Sequence, residues 1–423
     1  MSREDATGVS TPPSLFRNSS FLRLWAAQTC AMTVVYGLSM AGVVVIEEQT
    51  HSSTQTGLVI ISSILPGFLA SLVAGAVVDR FGRLPVLVLS HLGRALVALV
   101  FWGGTQLDSP TLILVTVYVV NATGIALSQF ATASEMAMLP DLVGSDRLLS
   151  ANSLLGFSLL VAEGLGIVVV APLVIKVGGA PAMGAVSTVL YLVALILVTT
   201  LRQSPATAGV AGPSERRWSG WTAFRSDIRA GWRTIAQDRL LALVIAQATL
   251  AGVLLLVLLS LVPGLLARHL GIGIEDAPFL ILPGGIGFVV GLFLVGRLER
   301  RLSRTLWIAG GLIGLGASII LLAVSSSQGR GSSLWVMVLL IVGVGLSLAT
   351  VTVPSRTVIQ ERPPAEMRGR VIAAQLALSN AAAIVPLLLG GALADWMGIQ
   401  PVIGLLGLAA LSAGALGLHY ARS

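Results

Sequence analysis

Gly75-Ala76-Val77-Val78-Asp79-Arg80-Phe81-Gly82-Arg83-Leu84-Pro85-Val86 is a short charged turn between two long apolar runs. Residues 57–78 upstream hold no Asp, Glu, Lys or Arg, and residues 84–102 downstream hold one, Arg94. Each run is close to the 20 or so apolar residues that a helix needs to cross the hydrocarbon of a bilayer. The same reading extends along the whole chain. It gives twelve apolar segments, at 21–46, 57–78, 84–102, 111–139, 148–175, 180–201, 240–267, 277–296, 305–324, 334–355, 371–394 and 399–419. The fold class expected is an all-α polytopic membrane protein.

Composition excludes the alternatives. Of 423 residues, 55% are hydrophobic and 11% charged, and the mean hydropathy is +0.91. Soluble domains carry about 25% charged residues, so the natural solvent of this chain is the bilayer. The 47 glycines would weaken soluble helices, but between membrane helices small residues let backbones approach. Residues 1–14 are polar, without an apolar stretch of signal-peptide type, so the first apolar segment is expected to stay as a span. Cys30 has no partner for an intrachain disulfide.

The net charge is +7, and all basic residues but Lys176 are arginine. Twenty-two of the 26 lie in the tails and loops on the side of the two termini, whereas the opposite loops hold Lys176, Arg268 and Arg330. The positive-inside rule makes the arginine-rich side cytoplasmic. The basic excess is therefore a topology signal, and no nucleic-acid partner is expected. A multi-pass plasma-membrane protein with both termini in the cytoplasm is the expected localisation, with the lipid bilayer as partner and a monomer as the assembly.

The longest loop divides the spans six and six. The expected parts are a tail at 1–20, a bundle at 21–201, a linker at 202–239, a second bundle at 240–419 and a tail at 420–423. Pro205, Gly209, Gly212 and Pro213 read as flexible. Trp218, Trp221, Phe224, Ile228, Trp232 and Ile235 then recur at steps of three and four beside Arg225, Arg229 and Arg233. That pattern predicts an amphipathic helix on the inner membrane surface.

The halves match at an offset of 220 residues. Gly67-Phe68 aligns with Gly287-Phe288, Asp79-Arg80 with Glu299-Arg300, Gly178 with Gly398, Pro181 with Pro401, and Gly184 with Gly404. Parallel six-span repeats about an axis along the membrane normal belong to transporters that rock one half against the other.

The segment Gly75 to Arg83 resembles the loop 2–3 signature of the major facilitator superfamily, with Gly75, Asp79, Arg80, Gly82 and Arg83 at its glycine, acid and base positions. Leu84 replaces the following basic residue, and the second copy keeps Glu299 and Arg300 but has Leu302 for glycine. Leu15-Phe16-Arg17-Asn18, Pro140-Asp141-Leu142-Val143, Ala151-Asn152-Ser153 and Glu361-Arg362-Pro363-Pro364 through Arg368-Gly369-Arg370-Val371 resemble the branch of enterobactin exporters and macrolide efflux proteins. This resemblance implies two pseudo-symmetric six-helix bundles and proton-driven export of a small organic molecule: a drug, an antibiotic, a siderophore or a lipid-like compound. It also implies a conformational latch, in which Asp79 docks near the start of the eleventh span. The antiporter signature of the fifth span is degraded, leaving Gly164, Gly166 and Pro172.

Charged residues inside spans are expensive and are functional candidates. Glu163 lies near mid-depth of the fifth span and is a candidate for binding a proton or the substrate. A structural pair is the alternative for Glu163, and Arg94 reads as a structural residue, either its partner or one snorkelling to the cytoplasm, or as a proton or substrate candidate. Glu135 is expected half solvated near the end of the fourth span, and Glu47 and Glu48 read as loop charge. Family architecture lines the cavity with the first, fourth, seventh and tenth spans, which favours Tyr36, Asn121, Gln28 and Gln247 as pocket residues; an interhelical hydrogen bond is the alternative for each.

The one lysine sits in Val-Ile-Lys-Val, so no Walker A loop is possible. His51, His91, His269 and His419 lack metal-ligand spacing, and no Gly-x-Ser-x-Gly elbow occurs. No cofactor, metal or enzymatic activity is expected. A transporter driven by an ion gradient stands against a membrane enzyme or a non-transporting receptor, and a mid-membrane cavity between the halves discriminates them.

Overall fold

The computed structural model describes residues 15–201, 220–270, 273–298, 303–327 and 334–422. Among these the chain is almost entirely helical. The long helices are α1 (Ser19–Thr50), α2 (Ser53–Phe81), α3 (Arg83–Gly104), α4 (Pro110–Val143), α5 (Leu148–Gly164), α6 (Ala171–Thr199), α7 (Gly220–Gln237), α8 (Arg239–Leu265), α9 (Ala277–Leu298), α10 (Arg304–Ser327), α11 (Leu334–Glu361), α12 (Arg368–Met397) and α13 (Ile399–Arg422). A π-helical turn, Leu165–Val170, joins α5 to α6.

Eleven helical stretches among the described residues are long and apolar enough to cross a membrane. The longest, Leu148–Thr199, has 52 residues. At 1.5 Å per residue it would run about 78 Å, far beyond one bilayer. It is two spans. Gly179 breaks it with φ 74° and ψ 172°, a conformation open to glycine, and Pro181 follows just inside the next helix. Twelve spans result. Gly398, with φ 95°, makes the equivalent break between α12 and α13. The structural partner of Gly398 is therefore Gly179, one residue on from the Gly178 expected at an offset of 220.

Each half has its own apolar core. One is centred on α1, α3, α4 and α6, the other on α8, α10, α12 and α13. The packing repeats in order: α2 crosses α4 as α9 crosses α11, and α3 packs on α6 as α10 packs on α13. Gly67 and Gly287 sit at matching crossings, where an added Cβ would strike Ile125 of α4 and the Val342 carbonyl of α11. Gly184 packs on α3, but its partner Gly404 faces open space.

The repeat extends to polar clamps at the arginine-rich ends. Asn18 caps α1 and donates to the Leu142 carbonyl (2.7 Å); Asp238, 220 residues later, caps α8 and accepts from Arg362 (2.6 Å), itself 220 residues after Leu142. Arg83 pairs with Asp141, and Arg304 pairs with Glu361 (2.6 Å). Each set ties the first and third spans of a half to the end of its fourth.

Of the expected amphipathic stripe, Trp218 lies outside the described residues, as do the side chains of Trp221 and Phe224. Further along α7, Ile235 is buried and Trp232 exposed. Gly231 lies so close to the Arg370 carbonyl at the start of α12 that no side chain would fit between them. The linker helix is thus seated on protein.

Candidate functional site

Three links close the halves against each other at the arginine-poor ends. Thr50 ends α1, and Glu47 on its last turn is 0% exposed. Arg268, on a π turn that follows α8, places Nε 3.2 Å from Glu47 Oε1 and donates from Nη2 to Ser53 Oγ (2.6 Å). Its guanidinium lies over Gly264, where a Cβ would collide with it. A carboxylate so thoroughly removed from water needs this cation. Glu47 is therefore a buried partner across the halves, whereas Glu48 is exposed as a loop charge would be.

The second link is a helix cap supplied from the other half. Asp395, near the end of α12, accepts from Ser53 N (2.7 Å), Thr54 N (3.1 Å), Ser52 Oγ (2.7 Å) and Thr54 Oγ1 (2.7 Å). Those amides are unsatisfied donors at the positive end of α2. Arg268 Nη1 stands 3.8 Å from the same carboxylate. The third link pairs Lys176, toward the end of the fifth span, with Asp276 at the start of α9. It is the pseudo-symmetric counterpart of the second: end of span five on start of span eight, end of span eleven on start of span two. Glu47 and Arg268 themselves occupy equivalent ends of spans one and seven. Sequence reading missed these links, because each joins residues 100 or more apart.

At mid-depth Glu163 is half-buried, one residue before the end of α5 and the π turn. Tyr36 lies on α1, the helix on which α5 and the π turn pack. The π turn brings Gly166 against the Thr33 carbonyl, with Gly37 beside it, so spans one and five touch backbone to backbone here. π turns inside helices are frequent at functional sites. Glu163 and Tyr36 thus stand on two helices that pack together here.

Other candidates fall elsewhere. Asn121 accepts from Ser39 (2.8 Å) and donates to Val59 O (2.9 Å) and Ser63 Oγ (2.6 Å), knitting α1, α2 and α4 together. Gln247 donates to Ala413 O (3.1 Å) on α13. Both are interhelical bonds. Gln28 is buried, with its Oε1 unpartnered among the described residues. Arg94 neither meets Glu163 nor snorkels: it is 1% exposed, between α3, α4 and α6. Glu135, expected half solvated, is also 1% exposed, because α4 continues to Val143 and carries it two turns inside the protein.

The latch residues lie at the other end. Asp79 and Arg80 are exposed, and Arg80 stacks over Phe81 at 5.4 Å from the ring centroid. Gly75 borders open space, Gly82 turns the chain with φ 87°, and Arg83 is held by Asp141 within its own half. Glu299 and Arg300 lie outside the described residues.

The sequence matches the profile of the Major Facilitator Superfamily over residues 24–386. The chain belongs to that family, and it is a multi-pass membrane protein with the family's transporter fold. Similar solved structures include a mutant of the peptide transporter POT in complex with sulfate (14% identity, 95% of this chain and 94% of that one, TM-score 0.70). A D-xylose-proton symporter matches at 14% identity, 95% and 97% coverage and TM-score 0.62. A mutant of the nucleoside transporter NupG matches at 13% identity, 95% and 99% coverage and TM-score 0.67. These likenesses concern the fold. No curated protein matches the sequence.

Proposed function

We propose that this protein is a secondary active exporter of the plasma membrane, with both termini cytoplasmic, and that proton antiport drives a small amphipathic molecule outward. The halves 21–201 and 240–419 rock as units about the linker 202–239. The three-link closure of the arginine-poor ends carries the reading: one end of a two-bundle transporter is sealed by polar contacts that can exchange for water when the halves part. Asp79, exposed in this conformation, is the complementary latch residue, and it docks at the start of α12 when the opposite end closes.

A hydrophobic or weakly cationic substrate suits the half-buried Glu163 and the Tyr36 ring, which offer a charge and an aromatic face at mid-depth. An anionic siderophore would want a cation there. The only basic residue deep within the first half is Arg94, and it is sealed away from the meeting of spans one and five. Drugs and antibiotics of low charge are therefore favoured over siderophores.

The test is accumulation of a panel of fluorescent lipophilic cations and macrolides in cells with and without the protein, repeated with a protonophore. Expression should lower accumulation, the protonophore should restore it, and Glu163→Gln should weaken export of the cations at least tenfold. Accumulation that rises with expression, or export indifferent to the protonophore, refutes the proposal.

A further inference from the structure

Away from the closure and from Glu163, the second half holds a cavity of about 470 Å³ at its arginine-rich end, where the start of α8, the start of α10 and the end of α11 meet. Leu240 and Val358 give it apolar walls, and Ser303, Arg304, Thr305 and Arg362 line it with hydrogen-bond donors. The bonds already made decide what those donors can still do. Arg304 Nη1 is on Glu361 Oε2 (2.6 Å), and Asp238 is filled by the Leu240 and Leu241 amides and by Arg362. Each carboxylate is thus neutralised by an arginine. Arg362 uses only Nε for this, and among the described residues it makes no other hydrogen bond or ion pair. The N–H groups of both its Nη atoms remain to donate. Ser303 Oγ and Thr305 Oγ1 stand 3.1 Å apart and share one hydrogen, which leaves the second hydroxyl hydrogen without an acceptor among the described residues.

The surplus continues one turn further in, on the same two helices. Trp307 Nε1 on α10 and the Oγ of Ser355 on α11, a residue 1% exposed, are buried and have no partner among the described residues. Ser355, Val358 and Arg362 follow at steps of three and four, so they share one helix face, as do Ser303 or Arg304 and Trp307. Buried polar atoms nearly always find a partner; here several left-over donors are gathered at one cavity. The fold itself does not ask for the cation. At the offset of 220, Leu142 stands for Arg362 and Asn18 for Asp238, and the first half makes its clamp with Asn18 Nδ2 on the Leu142 carbonyl (2.7 Å). A guanidinium fork matches two oxygens of a phosphoryl group or of a carboxylate. A hydroxyl donating from a separate helix suits a third oxygen, which only the phosphoryl group has.

We propose that this cavity binds a phosphoryl group, with Arg362 taking two of its oxygens and the Ser303–Thr305 hydroxyl pair a third. Two sources offer that chemistry at the membrane surface on the arginine-rich side: the headgroup of a phospholipid in the adjoining leaflet, and a soluble phosphate. Bound there, the ligand braces the ends of α8, α10 and α11 against one another. The site stands whichever molecule the protein transports and in whichever direction.

The test uses the full-length protein, delipidated in dodecyl maltoside. It is titrated separately with dioctanoylphosphatidylglycerol, with inorganic phosphate, and with dioctanoylglycerol, which carries the same chains and no phosphate. Native mass spectrometry counts the adducts, and the melting temperature reports occupancy, because a ligand of the folded state raises it. At least one phosphate compound should bind one per chain and raise the melting temperature, and dioctanoylglycerol should do neither. Binding of the phospholipid alone identifies a lipid site; binding of inorganic phosphate with no gain from the chains identifies a soluble ligand. Arg362→Lys, which keeps the charge and loses the fork, should weaken binding about tenfold. Asp238→Asn combined with Arg362→Leu rebuilds the neutral clamp of the first half and should fold yet lose the adduct. Thr305→Ala, with one hydroxyl fewer, should weaken binding severalfold and serves if the double variant does not fold. Binding of neither phosphate compound, equal uptake of dioctanoylglycerol, or affinity unchanged in Arg362→Lys and Thr305→Ala overturns the assignment.

Discussion

Asp395→Ala should open the arginine-poor end. The carboxylate accepts two backbone amides at the start of α2 and two hydroxyls, and a single residue of one half thereby caps a helix of the other. Loss of an N-cap costs about 1 kcal/mol, and each neutral side-chain bond about 1 kcal/mol net of water. The sum, about 3 kcal/mol, acts on the closed state alone, since these contacts go to water when the halves part. At 1.36 kcal/mol per tenfold that is roughly a hundredfold shift, enough to turn a 99:1 closed population into near parity. Spin labels at Asp108→Cys and Trp335→Cys, in a Cys30→Ser background, lie in exposed positions on opposite halves. Pulsed dipolar spectroscopy should show one short distance in the parent and a second, longer one in Asp395→Ala. Asp395→Asn, which keeps one acceptor oxygen, should fall between. An Asp395→Ala distribution identical to the parent would mean that the four bonds are neutral between states, and the closure argument would fail.

Asp79→Asn should reach the membrane in normal amounts yet transport several-fold more slowly, measured as initial efflux per copy; an unchanged rate would reduce Asp79 to a topology charge. Gly166→Val forces a side chain into the Thr33 carbonyl and should cost about 1–3 kcal/mol or more, seen as a lower melting temperature in detergent, whereas Gly75→Ala, facing open space, should melt like wild type. The hydrogen bond from Arg362 leads the interactions that hold the Asp238 carboxyl below its ordinary range. With a depressed native pKa, its contribution is complete above about pH 4, the unfolded value, and is lost as pH falls through the native one. Asp238→Ala should therefore lower the melting temperature at pH 7, and the gap to wild type should shrink in strong acid.

Hydropathy alone places the twelve spans, because a bilayer imposes a length on every apolar helix. It divides spans five and six between 175 and 180, but it does not show that Gly179, and not Gly178, makes the turn with a positive φ. The offset of 220 is legible through glycines and prolines, yet its strongest physical expression, Asn18 with Leu142 against Asp238 with Arg362, mixes neutral and charged chemistry and shows no identity to align. Glu163 is singled out by depth in a span, which is a one-dimensional property. Glu135 and Glu47 were misjudged because their depth was counted from apparent span ends. Helices α4 and α1 run on past those ends, and burial there is decided by α3 and by Arg268 on distant stretches of chain. Long-range pairing of this kind leaves no trace in a single sequence.

The closure also has a geometry that no one of its bonds possesses. Glu47 and Arg268 meet where equivalent ends of spans one and seven face each other, and the Asp395 and Lys176 links stand to either side, exchanged by the pseudo-two-fold. A seal resting on three such points resists tilting, as a tripod does: lifting one flank loads the other and the centre. The two halves should consequently separate in a single all-or-none step, with weakening at any foot changing how often the seal breaks and leaving the shape of the opened mouth the same.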